Sequence, residues 1–308
     1  MNRIEIKLKY KKHIWTNYSN GSFNYNSCQV DYAFAELNNN EIAMDIVILT
    51  ESVNSGICSV FVEIIDFMYL ACGTMPIIVY YKENNKDIDL GQISCRFFPA
   101  MKHFKNDHLI DIANQTLNGN TLSNIQKIVR NKPFEIFSAF TALTSNAYDE
   151  IYFEHKIALL LQCFEGYIYN KDKCYQKSKI KFRDRINEIV KILFEYDKKY
   201  NTEILKTLNL SDDEYLDVLK DTRHQFSHYI SKNKSLNEAK KYVVNFFLLH
   251  YIFRLYILKE INLIPNERNI EEFLKEIHDW LNVLNNESFK NFKSVVYSLN
   301  YATRQLKP

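Results

Sequence analysis

The chain has 308 residues, 46% hydrophobic and 25% charged, fractions that exclude a disordered, collagenous or membrane-embedded class. A net charge of +2 excludes a strong global field drawing the chain to nucleic acid. Six glycines and five prolines leave few helix breakers among 21 tyrosines and 21 phenylalanines, which favours long helices in part of the chain. The charge is unevenly spread. Residues 151–308 carry 26 Lys and Arg against 21 Asp and Glu, a net +5, and residues 1–150 carry a net −3. The six cysteines (Cys28, Cys58, Cys72, Cys95, Cys163, Cys174) form no C-x-x-C pair. A chain this long needs no disulfide staples, so a reduced, cytoplasmic protein is expected. Met1 to Glu5 has no apolar signal-peptide region,.

The first hundred residues predict strands. Ile4 to Tyr10 alternates apolar and polar residues, the period of a half-buried strand,. Runs rich in β-branched and aromatic residues follow at 28–36, 41–50, 57–65, 76–82 and 90–98. Turn-like clusters separate them, among them Asn38-Asn39-Asn40 and Asn84-Asn85,. The segment 57–70 also fits a helix, because Val60, Ile64, Phe67 and Met68 share one helical face,. This spacing predicts a sandwich- or barrel-like β-rich N-terminal domain over residues 1–120.

From Thr121 the period turns helical, with segments expected at 121–131 and 133–147. A helix over 149–169 would bury Ile157, Leu160, Leu161 and Phe164, and one over 179–200 would bury Ile186, Ile189, Val190 and Leu193,. Ser211 stands three residues before Glu214, and Ser235 three before Glu238. Both are capping boxes, so two separate antiparallel helices start there, linked by Ser231 to Lys234. The apolar run Val243 to Leu258 carries Asn245, His250 and Arg254. It is shorter than the roughly 20 apolar residues of a membrane span, and it reads as a buried helix. Helices over 269–283 and 287–303 close the chain. The whole is an α+β protein, with a helical bundle over residues 121–308.

The segment Asp221-Thr222-Arg223-His224-Gln225-Phe226-Ser227-His228-Tyr229 lies in the helix that Ser211 caps. Five residues turn a helix by roughly 500°, so Arg223 and His228 flank a face about 140° wide. His224 and His228, at i and i+4, align along it. A second Arg–His pair, Arg96 and His103, contains Pro99 and cannot sit in an unbroken helix,. An arginine, a polar residue and then a histidine on the third helix of a bundle resembles the ribonuclease motif of HEPN domains, in particular of ApeA-type phage-defence HEPN proteins. Phe164-Glu165-Gly166-Tyr167 is similar to the acidic element on the first helix of that superfamily. The resemblance covers residues 135–262. It implies a HEPN-like four-helix bundle with extra helices, preceded by a β-rich region.

The resemblance also implies a metal-independent endoribonuclease, a defence or toxin effector that uses no cofactor and no metal. The RNA 2′-hydroxyl attacks the adjacent phosphorus. His228 serves as acid/base because its pKa lies near neutrality. Arg223 clamps the phosphate with a permanently charged fork. His224 orients substrate or shares the proton, and Glu165 holds Arg223 or a histidine in place. The expected partners are RNA (tRNA among the candidates), a second copy of the chain through the helical domain, and a phage or host trigger, with no membrane. Lys171 to Arg185 holds seven basic and two acidic residues, so Lys177, Lys179, Lys181, Arg183 and Arg185 are candidate RNA-backbone contacts. The alternative is a non-catalytic dimeric interaction or regulatory module in which Arg223 and His228 are structural.

Overall fold

In a computed structural model, the structure describes residues 1–11, 18–38, 41–51, 58–73, 76–88, 109–130, 153–171, 176, 180–227 and 236–285. An N-terminal β-sheet is followed by a C-terminal helical region. The chain divides into two compact units, Met1–Ala147 with Ile257–Asn266, and Tyr148–Tyr256 with Glu267–Pro308.

The first unit is built on one six-stranded antiparallel sheet. Its strands are β1 (Asn2–Lys11), β2 (Gly21–Tyr25), β3 (Cys28–Asn38), β4 (Glu41–Thr50), β5 (Ile77–Glu83) and β6 (Lys86–Asp87), in the order β2-β3-β4-β1-β5-β6. The first strand is therefore internal, paired with β4 on one side and β5 on the other. Register puts the alternating apolar residues on one face. Ile6 lies opposite Ile46 and Tyr81, and Ile46 lies opposite Tyr32. All four are buried. The other face of β1 carries Lys7 and Lys9, which pair with Asp45 and Glu41 on β4. Such cross-strand charge pairs suit a solvated face.

The segment 57–70 resolves to helix α1 (Ser59–Cys72). It runs from β4 to β5, whose places in the sheet are separated by β1. Phe61 meets the Tyr81 ring at 5.5 Å, and the Tyr81 hydroxyl accepts a hydrogen bond from the Cys58 N–H at 3.2 Å. Among the described residues the strands form this one open sheet and not the sandwich or barrel expected. The strand-like run at 57–65 is the crossover helix, and the run at 90–98 lies outside the described residues. Strand β2 was not foreseen. It pairs with β3 through Asn26-Ser27, both at positive φ (49° and 58°), the signature of a two-residue hairpin turn.

Helix α2 (Gly119–Ile125), continued by a π-helical turn Gln126–Arg130, also belongs to this unit. Asn118 caps it, its side chain accepting the Thr121 N–H at 3.0 Å. A Cβ on Gly119 would stand 2.6 Å from the Asn24 carbonyl oxygen, so this close approach to β2 requires glycine. The expected helix at 133–147 lies outside the described residues.

The second unit contains α3 (Phe153–Lys171), α4 (Phe182–Tyr200), the short α5 (Ile204–Thr207), α6 (Asp212–Ser227), most of α7 (Leu236–Glu260) and α8 (Glu267–Asn285). The apolar residues expected on α3 and α4 are buried. Helix α7 is buried on every side from Leu248 to Leu258, as its apolar run requires. On α7, Phe253 stacks on Phe164 of α3 at 4.8 Å, and Tyr251 on Phe273 of α8 at 3.7 Å. Asn245 of α7 accepts the Tyr215 hydroxyl of α6 at 3.0 Å. His250 is buried beside Phe246, a core histidine. No helix among the described residues is long and apolar enough to cross a membrane.

The capping box that opens α6 is formed. Glu214 Oε2 accepts the Ser211 N–H at 2.8 Å and the Ser211 hydroxyl at 2.7 Å, and the Glu214 N–H approaches Ser211 Oγ at 3.4 Å. These bonds hold the Glu214 carboxyl below its usual pKa. The box expected at Ser235 lies outside the described residues, as does the helix at 287–303. Replacing Ser211 by Ala is expected to destabilise the protein by about 1 kcal/mol in denaturant unfolding near neutrality. A depressed folded-state pKa stabilises above the unfolded value and fades as pH falls through the folded one. The Ser211→Ala penalty should therefore shrink below about pH 4, and a penalty constant down to acid pH would show that the carboxylate plays no part.

Candidate functional site

Glu165 sits in the middle of α3, with Tyr169 one turn further on. At i and i+4 the two share a face. Phe182 and Arg185 open α4 and share a face in the same way at i and i+3. Arg223 lies in the last turns of α6. Direct packing of α3 against α4 and α6, and of α4 against α6, brings the three faces together.

The carboxylate of Glu165 binds two guanidiniums. Its Oε1 accepts Arg185 Nη1 at 2.9 Å and its Oε2 accepts Arg223 Nη2 at 2.8 Å. An aromatic ring covers each arginine. Arg223 Cζ lies 4.6 Å from the Phe182 centroid, and Arg185 Cζ lies 5.2 Å from that of Tyr169. These are cation–π distances, and the rings fix the guanidinium planes while displacing water. Side-chain exposure is 20% for Glu165, 13% for Arg185 and 30% for Arg223. The cluster is thus half-sunk, and solvent reaches Arg223 most. Arg223 Nε is buried and has no hydrogen-bond acceptor among the described residues. Two guanidiniums thus share the one Glu165 carboxylate.

The pairing of Glu165 with Arg223 is therefore present. His224 is exposed on α6, about 100° round the helix from Arg223. His228, expected to be the acid/base, lies outside the described residues, as do Lys177 and Lys179. Lys181 is exposed at the start of α4, where its N–H donates to Asp184 at 3.1 Å. Arg183 is held by Asp213 at 2.5 Å and by Asp217 at 3.7 Å on α6. Arg185, another of the candidate RNA-backbone contacts, pairs with Glu165.

Sequence reasoning missed Arg185 as a member of this cluster, together with its covering rings. The local signal was present. Glu165/Tyr169 and Phe182/Arg185 each pair a charge with an aromatic one turn away, which puts both on one helical face. Arg185 also stands in the first turn of α4, where the helix dipole disfavours a cation, so an opposing charge was to be sought. Cys163, two residues before Glu165, is buried, and burial pushes its thiol up to about 12. It stays protonated near neutrality and supplies no nucleophile. Among the described residues, Cys28, Cys58, Cys72 and Cys163 are free thiols. No group of three or more metal-ligating side chains is assembled among the described residues.

No family model matches this chain, and no curated protein or solved structure matches it.

The cluster predicts energetic coupling between α3 and α6. A charge-assisted hydrogen bond contributes about 1.5–3 kcal/mol, which partial exposure reduces. A double-mutant cycle of Glu165→Gln and Arg223→Gln in urea unfolding should give a coupling of about 1 kcal/mol. Simple additivity would mean that the two side chains do not meet.

Proposed function

We propose that the helical region is a metal-independent endoribonuclease of the HEPN type, with a HEPN-like four-helix bundle formed by α3, α4, α6 and α7. The observation that carries this reading is the 2.8 Å pair between Arg223 on α6 and Glu165 on α3. It joins the two elements on which the sequence resemblance rests. The half-exposed guanidinium is positioned by a carboxylate and a ring, as a phosphate clamp requires.

In this mechanism Arg223 grips a phosphate oxygen and stabilises the charge that builds as the neighbouring 2′-hydroxyl attacks phosphorus. His228 takes the hydroxyl proton or gives one to the departing 5′ oxygen. His224 lies one turn from it along the sequence and orients the substrate or shares the proton. RNA itself supplies the nucleophile, so a protonated Cys163 is no obstacle. A second copy of the chain, docked through the helical domain, would set two such segments across a two-fold axis. The substrate is cellular RNA, with tRNA a candidate, and the setting is the cytoplasm. The role is that of an anti-phage defence or toxin effector, with the N-terminal unit receiving a phage or host trigger.

The rival is a non-catalytic dimeric module that uses the same ion pairs as helix clamps. The low exposure of Arg185 and Glu165 favours it. Incubation of tRNA and total RNA with the wild-type protein in EDTA separates the two. The ribonuclease reading predicts cleavage by the wild type and at least a roughly 100-fold loss in both His228→Ala and Arg223→Ala. Equal activity in all three proteins would overturn the assignment, and loss of wild-type activity in EDTA alone would point to a metal enzyme.

A further inference from the structure

Tyr169 stands out on its helix. Its ring is 39% exposed, although Tyr167 and Ile168 beside it are buried. One face of the ring is taken, because Arg185 Cζ lies over it, 5.2 Å from the centroid. Helix geometry says which face. At about 100° per residue, Glu165 and Gly166 fall on opposite flanks of Tyr169, roughly 40° and 60° away. Arg185 is bound to Glu165, so it meets the ring from the Glu165 flank. The other flank belongs to Gly166, which is half-buried and has no side chain to cover the ring. A long helical side chain leans back over the preceding turn, so the ring stands over this notch. Glycine in mid-helix costs stability relative to alanine, and here it keeps one face of an exposed ring open.

We propose that Tyr169 is a stacking platform for a nucleobase of the RNA, which lies on the ring face above Gly166. This rests on the ribonuclease reading and adds to it a base-binding residue beside the phosphate clamp. Tyr169 lies four residues beyond Glu165, about 6 Å along α3, and Glu165 holds Arg223. A stacked strand advances about 3.4 Å per nucleotide. The ring therefore stands within about two nucleotides of the phosphate that Arg223 grips. Arg185 fixes the plane of the ring before RNA arrives, so little side-chain freedom is lost on binding. Every base has a π face, so the platform tolerates any base but requires one that is unstacked. The substrate class is accordingly single-stranded RNA, in loops, bulges or ends.

The test uses the full chain and two probes of equal length, followed by fluorescence anisotropy at fixed salt. One is a 2′-O-methyl oligoribonucleotide, which keeps phosphates and bases but lacks the attacking hydroxyl. The other is an abasic strand, which keeps the phosphates alone. Tyr169→Ala should lose about tenfold in affinity for the base-bearing strand and nothing for the abasic one. Tyr169→Phe keeps the ring and should match the wild type on both. Gly166→Gln places a side chain over the open face and should behave as Tyr169→Ala does. Thermal melts identify a variant that fails to fold, and the other then decides. Unchanged affinity of a folded Tyr169→Ala for the base-bearing strand overturns the platform, as does a wild type that binds neither strand. An equal loss on both strands overturns it too, since the ring would then only prop Arg185 or join two copies of the chain. Parallel incubation of wild type with unmodified RNA keeps the two claims apart. Cleavage without the base-dependent loss removes the platform and leaves the nuclease. The base-dependent loss without cleavage leaves the platform and removes the nuclease.

Discussion

One carboxylate shared by two guanidiniums is the constraint on which the arrangement of the helical unit's candidate site depends. Glu165 comes from α3, Arg185 from α4 and Arg223 from α6, so three helices meet at a single anion. Partly buried charges persist only when paired and hydrogen-bonded. This demand fixes where the three helices meet more tightly than apolar contact could, since hydrophobic contact is not directional.

The rest of the unit supports that junction. Helix α7 is buried on all sides from Leu248 to Leu258, and its rings stack on α3 and α8. Phe164, next to Glu165, stacks on Phe253, so the backbone that presents the carboxylate is anchored in the core. Helix α6 is started by the Ser211–Glu214 box and pinned to α7 through Tyr215 and Asn245. Arg223 lies about three turns beyond that cap. An error in the start of α6 would swing its side chain away from Glu165, because each residue turns the helix by about 100°.

Some of this was legible in the residues and some was not. The alternation of Ile4, Ile6 and Leu8 marked β1 because one sheet face is buried and the other is solvated. The Ser211 box marked α6 because capping is local chemistry. Helix α1 was ambiguous. It is buried along nearly its whole length, and a segment buried on all sides shows neither period clearly. Strand β2 was hidden by its shortness and by Asn24, Asn26 and Ser27, which read as loop until Asn26 and Ser27 are seen as the two residues of a tight turn. At the site, Arg223 and Glu165 were both marked, but their meeting is tertiary. Arg185 is one of seven basic residues in Lys171 to Arg185; its first-turn place one turn from Phe182 is a local sign that it meets an opposing charge, but which carboxylate it meets is tertiary. Packing of α4 against α3 decides that.

The proposed chemistry leaves a covalent record on its product. Attack by the 2′-hydroxyl breaks the bond to the 5′ oxygen and closes a ring on the ribose. Mass spectrometry of the fragments that the wild-type protein releases from a defined RNA in EDTA is therefore the most direct measurement. The account predicts 2′,3′-cyclic phosphate on the upstream fragment and a 5′-hydroxyl on the downstream one. Fragments ending in a 3′-hydroxyl and beginning with a 5′-phosphate would contradict it, because water and not the RNA would then have been the nucleophile.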